Sequence, residues 1–224
     1  GTIVPVPSFY KNNLEIDLYK LGKFLNFQLK HNVNIFYLAM AASEFEFMSE
    51  NERLKITRFV SSNIPKRSIL IAQPIGSGSI KSQIEEGKKM VDSGADALVV
   101  KPQALKENSN FFSSKYLMRT YSPAKHDNFY ISYIDQFTNE LKFPIVYHDQ
   151  PFSNGFGLSL NSIKLLTKNK YIKAFKVHTS DPAHLREQYS ILKNKLSSFD
   201  GFGKTLQFWT LQWGATARHS CWSW

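Results

Sequence analysis

The chain has 224 residues with 28 Lys+Arg against 18 Asp+Glu, a net charge of +10, 42% hydrophobic residues and one cysteine, Cys221. That suits one large domain or two small ones with material for a sizeable core, and a lone cysteine excludes an internal disulfide or a cysteine-based zinc site. No apolar run reaches membrane-spanning length and the N-terminus lacks the charged start of a signal peptide, so a soluble protein of the reducing cytoplasm, with no membrane partner, is expected. The basic excess is scattered over Lys81, Lys88, Lys89, Lys168, Lys170 and Lys173. Without a basic block or a nucleic-acid motif, it reads as a solvated surface, and no nucleic-acid partner is expected.

Along the chain, short apolar runs alternate with amphipathic stretches. Strands are expected over 2–6, 34–39, 68–73, 97–101, 144–148, 173–177 and 198–202, with an eighth near 217–221. Helices are expected over 14–30, 50–62, 80–93, 127–141, 160–168, 182–196 and 206–213. The strands are apolar throughout rather than alternating, as in parallel sheets buried on both faces. Ser49 with Glu52 forms the sequence of a capping box, Gly94 suits a left-handed helix end, and Pro182 suits a first helical turn. Residues 106–127 read as an insertion or long loop. Repeated β–α units of this number predict an α/β fold, a single (β/α)8 barrel over 1–224, where a flavodoxin-like sheet would have fewer units. The segment after the eighth strand is too short for the closing helices, so the barrel is expected to be truncated there.

Lys176 lies in the β-type run from Tyr171 to Val177, followed by His178, Thr179, Ser180 and Asp181. Burial strips an ammonium of water and favours the neutral amine, which can attack a carbonyl to give a Schiff base. The competing reading is an outward lysine whose head reaches solvent. His178 alternates with Lys176 and shares its face at the strand end, where barrels collect functional groups. Gly76-Ser77-Gly78-Ser79 and Gly201-Phe202-Gly203-Lys204-Thr205 lack the spacing of phosphate loops. The six histidines have no partner carboxylates at metal-ligand spacing, so no metal is expected.

Several motifs, in order, resemble the dihydrodipicolinate synthase/N-acetylneuraminate lyase family. Val4-Pro5-Val6-Pro7-Ser8-Phe9 and Leu14-Glu15-Ile16-Asp17 resemble its first strand and loop. Ala41-Ala42-Ser43-Glu44-Phe45 lies where the family has Gly-Thr-Thr-Gly-Glu. The run from Ser93 to Val100 is similar to its fourth strand. Tyr147-His148-Asp149-Gln150-Pro151 lies where it has Tyr-Asn-Xaa-Pro. Trp213-Gly214-Ala215 resembles the Leu-Gly-Ala before its eighth strand. Lys176 then occupies the Schiff-base position.

The resemblance implies a barrel lyase or aldolase that forms a lysine Schiff base with a 2-oxo acid of the pyruvate type, joins or cleaves an aldehyde, and uses no cofactor. A homotetramer is implied by the same likeness. Aligned on Pro151, His148 replaces the family's proton-relaying tyrosine, unless a bulge in the fifth strand brings Tyr147 to the site. Ala41 and Ala42 remove the hydroxyls that hold the oxo-acid carboxylate, leaving backbone N–H groups and the Ser43 hydroxyl. The family's tyrosine after the fourth strand is replaced, since Pro102 is followed by Gln103 and Ala104. Ser153 stands where synthase members carry an arginine, which makes that particular condensation less expected than a lyase on another oxo acid. Gly203 corresponds to a glycine bordering the site. The alternative is a catalytically degenerate barrel that serves as a small-molecule binding or regulatory protein.

Overall fold

A computed structural model describes residues 2–39, 41–74, 79–101, 123–149, 158–178, 181–201 and 207–219; side chains at 123–126, 129, 218 and 219 are left aside. Eight parallel strands close into a barrel in the order β1 to β8. They are β1 (Thr2–Pro5), β2 (Ile35–Leu38), β3 (Ile69–Ala72), β4 (Ala97–Val100), β5 (Ile145–Asp149), β6 (Ile172–Val177), β7 (Ser197–Asp200) and β8 (Ala217–His219). β8 closes the ring by pairing with β7 through Phe199↔Ala217 and with β1 through Thr2↔Arg218. The run around 218 has little barrel character as sequence, yet three residues suffice because both neighbours supply hydrogen-bonding edges.

The helices among the described residues are α1 (Leu18–Lys30), α2 (Glu50–Asn63), α3 (Ile80–Asp92), α4 (Pro123–Leu141), α5 (Leu160–Leu166), α6 (Pro182–Leu192) and α7 (Gln207–Trp213). The capping box forms at Ser49 and Glu52, Gly94 takes φ +97°, and Pro182 sits in the first turn of α6. Three helix boundaries differ from expectation by four residues. α1 starts at Leu18 rather than 14, because Leu14 is left-handed at φ 65°, Tyr10 bridges Ile16, and Asp17 accepts the Lys20 N–H at 3.0 Å as the cap. α6 stops at Leu192, with Asn194 left-handed, so that β7 can begin at Ser197. Residues 123–127, expected in a long loop, are the opening of α4, where a proline fits the first turn. The rest of that segment, like the loop at 76–78 and Cys221, lies outside the described residues. None of the described helices is long and apolar enough to cross a membrane.

Burial divides into a lumen and an outer layer. The lumen holds Ile3, Tyr37, Ala39, Ile71, Ala97, Val99, Val146 and Phe199. Two outer clusters pack the other strand face against the helices, one around Phe36, Leu38, Leu70 and Leu98, the other around Ile145, Tyr147, Phe175 and Val177. Both faces of β2 to β6 are thus covered, which is why those runs are apolar without alternation; each fully buried Leu, Ile or Phe contributes about 1.5–3 kcal/mol.

β6 carries the one irregularity that decides which side chains enter the lumen. Its ladder with β5 pairs Ile145 with Ile172 but Val146 with Ala174, so Lys173 is an extra residue, a β-bulge. Ile172 packs in the outer layer, whereas Ala174, two residues on, packs against the lumen. The bulge inverts the alternation. Without it, Lys176 would share the outward side of Ile172.

Candidate active site at the C-terminal mouth of the barrel

With the phase set by the bulge, Phe175 and Val177 face the helices and Lys176 faces the lumen, 4% exposed. Its Nζ lies 4.8 Å from the centre of the Tyr37 ring, a cation–π contact from across the barrel. Tyr37 is fixed in turn by donating its hydroxyl to Gln73 Oε1 at 2.6 Å. Directly after β7, Gly201 leaves room for the lysine stem: a Cβ there would stand 2.9 Å from Lys176 Cε and 3.1 Å from His178 Cβ.

His148 is the register partner of Lys176 on β5 and is 5% exposed. β5 alternates regularly, with Val146 in the lumen cluster and Ile145 and Tyr147 in the outer one. His148 therefore faces Lys176 from the adjoining strand. Its imidazole stacks on that of His178, centroids 5.7 Å apart and planes within 6°. The His178 N–H donates to Asp149 O at 2.8 Å and the Gly201 N–H to Val177 O at 2.7 Å, so the ladder continues past the strand ends and holds the mouth. Burial, and then the charges of Lys176 and Lys101, push the His178 imidazole down to about 4, which keeps it neutral at physiological pH.

Tyr147 points the other way. Its ring packs 5.2 Å from that of Phe175 in the outer cluster, and burial pushes its hydroxyl well above the ordinary phenol range. The irregularity that was to bring Tyr147 inward exists, but on β6, not β5. Asp149 is on the same outward side. It accepts from Gln188 Nε2 of α6 at 2.6 Å and from the Leu158 N–H at 3.3 Å, and burial raises its carboxyl to about 6.

The turn after β2 is braced on all sides. The Ser43 hydroxyl donates to Val6 O at 2.5 Å and accepts the Ala39 N–H at 2.9 Å; the Ser43 N–H donates to Ala39 O, and its carbonyl accepts from Ser8 Oγ at 2.6 Å. Its single donated hydrogen is thus engaged in holding the turn to β1. Ala42 packs against the lumen cluster, while Ala41 is exposed. Behind the turn runs a 3-10 segment, Phe45–Phe47, whose Phe45 and Met48 carbonyls accept from Arg53; Arg53 is paired in the interior with Glu86 at 2.6 Å.

Lys176, His148 and His178 are thus brought together, with Ala42 at the rim. Gly203, Thr179, Pro151, Ser153 and residues 102–104 lie outside the described residues. Tyr37, Gln73, Gly201 and Lys101 join the site without having been singled out as site residues from sequence. Parity along β2, β3 and β4 was the available signal, since Tyr37 and Gln73 each stand two residues from a lumen position.

The chain matches the sequence profile of the dihydrodipicolinate synthetase family over residues 1–223. It is 25% identical to a 4-hydroxy-tetrahydrodipicolinate synthase of Brachyspira hyodysenteriae over 197 residues, which is 88% of this chain and 60% of that protein. It is 24% identical to the enzyme of that name from Caldicellulosiruptor bescii, spanning 79% of this chain and 54% of that protein. Among solved structures, a prophage protein of the dihydrodipicolinic acid synthase family from E. coli, in complex with pyruvate, superposes with TM-score 0.79 at 22% identity, covering 98% of this chain and 69% of the other. The dihydrodipicolinate synthase of Acinetobacter baumannii, also complexed with pyruvate, gives TM-score 0.80 at 18% identity with the same coverage. The chain therefore spans little more than half the length of the curated relatives. With the profile matched almost end to end and a closed (β/α)8 barrel bearing a lumen lysine on β6, the chain belongs to the dihydrodipicolinate synthetase family.

Proposed function

We propose that this chain is a class I lyase or aldolase that forms a Schiff base between Lys176 and a 2-oxo acid of the pyruvate type. The observation that carries the reading is the near-complete burial of Lys176 at the C-terminal end of β6, beside His148. Catalytic groups in this fold collect at that end, and a buried amine yields its proton readily enough to attack a ketone. The two pyruvate-bound neighbours support the choice of substrate class.

The amine attacks C2: a C–N bond forms, the C=O π pair moves onto oxygen, and a proton passes from nitrogen to that oxygen to give a carbinolamine. A second proton lets that oxygen leave as water, and an iminium remains. Removal of a C3 proton sends its electron pair toward the iminium nitrogen and leaves an enamine. The enamine carbon then joins an aldehyde whose oxygen is protonated; in the reverse direction the C3–C4 bond breaks. Hydrolysis returns the amine. His148 is the group on the adjoining strand suited to moving these protons, and neutral His178 stacks on it. The oxo-acid carboxylate docks on the turn at Ala42, which borders the lumen and is held by the Ser43 clamp. The iminium supplies the electron sink, so the reading calls for no cofactor.

Incubation with pyruvate and borohydride should add a reduced pyruvyl group to Lys176, read by intact mass and peptide mapping. An adduct on another lysine, or none, overturns the Schiff-base assignment. One observation favours a second reading, a barrel that binds oxo acids without turnover: the β5 tyrosine faces outward, so no phenol from that strand reaches Lys176. An adduct that forms without exchange of the pyruvate methyl protons into deuterated solvent would favour that reading.

A further inference from the structure

The carboxylates and amines at the strand ends face opposite ways. Asp149 lies on the outward side of β5. Asp200 lies beside Tyr189 of α6, on the side of β7 opposite to Phe199. The amines point in. Lys101 directly follows β4, where Ala97 and Val99 are in the lumen cluster, so it takes the next inward position. β4 pairs Val100 with Tyr147, which puts Lys101 level with His148, and His148 is the partner of Lys176. Three adjoining strands thus present an amine, an imidazole and an amine in one row. Adjacent strands are about 4.8 Å apart, so the two lysine backbones stand about 10 Å from one another.

The charge of Lys101 is felt at His178 together with that of Lys176, and the acid that acts on Lys101 is Glu46, which is exposed to solvent. Among the described residues, Glu46 is the carboxylate whose charge is felt at Lys101. A positive charge in a half-buried place, faced among the described residues by an exposed carboxylate, is favoured further by an anionic ligand. Iminium formation at Lys176 keeps a positive charge in the same row as Lys101 through the reaction.

Resting on the Schiff-base reading, we propose that Lys101 is a second anion-binding residue of the site, which takes a carboxylate carried on the far end of the substrate chain. The oxo-acid carboxylate lies on the turn at Ala42 and the ketone carbon at Lys176. Lys101 then selects substrates with a second acidic group beyond the ketone, that is, oxo diacids and their aldol adducts, over chains that end in a methyl group.

The test compares 2-oxoglutarate with 2-oxopentanoate, which share a five-carbon chain and differ in the terminal carboxylate. The readout is the concentration of each that half-saturates borohydride trapping at Lys176. The native protein should favour 2-oxoglutarate by about 10-fold or more, the size expected of one hydrogen bond to a charged group. Lys101→Met should bring the ratio close to one, and Lys101→Arg should retain it. No discrimination by the native protein, or discrimination that survives Lys101→Met, overturns the proposal. If neither acid is trapped, trapping with pyruvate tells whether the Schiff-base reading has failed, and calorimetric titration with glutarate, which has no ketone, reads the anion site alone. Glutarate binding weakened about 10-fold by Lys101→Met supports the site. Absent or unaltered binding overturns it.

Discussion

On the inner face of β5 and β6, His148 and Lys176 stand side by side in the lumen; one residue earlier on each strand, Tyr147 and Phe175 lie ring to ring at 5.2 Å in the apolar layer beneath the helices. The two pairs share the same strands and are all but excluded from water, yet their surroundings call for different chemistry. Inside, the neighbours are a second imidazole, an aromatic face and a glycine that leaves room for the lysine stem. Outside, Tyr147 lies in the apolar layer, and burial, followed by the nearby carboxyl of Asp149, raises its hydroxyl well above the ordinary phenol range. A residue's capacity for proton transfer here follows from strand parity rather than from residue type.

Removing Lys176 tests the inner face most severely. Lys176→Ala should lose the pyruvate adduct altogether while circular dichroism and thermal unfolding remain those of a folded barrel. An undiminished adduct in that variant would move the covalent chemistry elsewhere. The contrast within β5 comes next. His148→Phe should slow exchange of the pyruvate methyl protons by about 10²–10⁴, the usual size of general acid–base catalysis, whereas Tyr147→Phe should leave it close to native. The reverse pattern would mean that the outer tyrosine, not the inner histidine, relays protons. A smaller loss is expected at Gly201. The added methyl of Gly201→Ala presses on the lysine stem, and displacement of a reacting group by about 1 Å can cost up to 10²-fold, so trapping should slow by roughly 10- to 100-fold. Trapping at the native rate would mean that the stem moves aside freely.

The subtlest difference between the two faces is their response to pH. The folded protein keeps the His178 imidazole neutral down to about 4, while its ordinary value is 6.5. Between those values the unfolded chain binds more protons, so the stability linked to His178 is present above 6.5 and lost as pH falls to about 4. Asp149 runs oppositely. Its folded carboxyl holds a proton up to about 6 against an ordinary 3.8, so its contribution is present below 3.8 and lost as pH rises through 6. In the native protein the two trends offset each other. Asp149→Asn should remove one of them: its stability relative to native should climb between about pH 4 and 6 by something on the order of 2–3 kcal/mol and then level off. The amide can still accept the Leu158 N–H, and Gln188 can turn its carboxamide to offer oxygen. His178→Gln should show a weaker trend of the opposite sign, growing relative to native as pH falls from 6.5 to 4. Melting temperatures across pH 4–8 distinguish these outcomes, and flat differences would refute both assignments.

The sequence makes the barrel legible because each strand is a short run buried on both faces, and caps such as Ser49, Gly94 and Pro182 are local chemistry. It makes Lys176 and His148 legible through their order among the motifs. It does not reveal which way they point, because the bulge at Lys173 is an accommodation between two strands and leaves no local signature. Ser43 shows a similar limit. A serine in a turn beside a candidate site suggests a donor, but its hydrogen is taken by Val6 O just after β1, a partner 37 residues away. Tyr37 and Lys101 were missed for a related reason. An aromatic residue within an apolar strand and a lysine just after one are ordinary in sequence, and only the closure of the ring brings them near Lys176 and His178.

The gap that Gly201 leaves for the lysine stem bears on timing as well as on space. A free lysine side chain carries about 2 kcal/mol of rotational entropy, and a nucleophile that must be ordered at the moment of attack adds that amount to its barrel's activation free energy. Here the stem runs between a position that lacks a side chain and the face of Tyr37, on a strand whose bulge has already turned it inward. The ordering is completed when the chain folds. If Lys176 forms the proposed Schiff base, its amine meets each ketone from a fixed direction, and the search for that direction is absent from the turnover cycle.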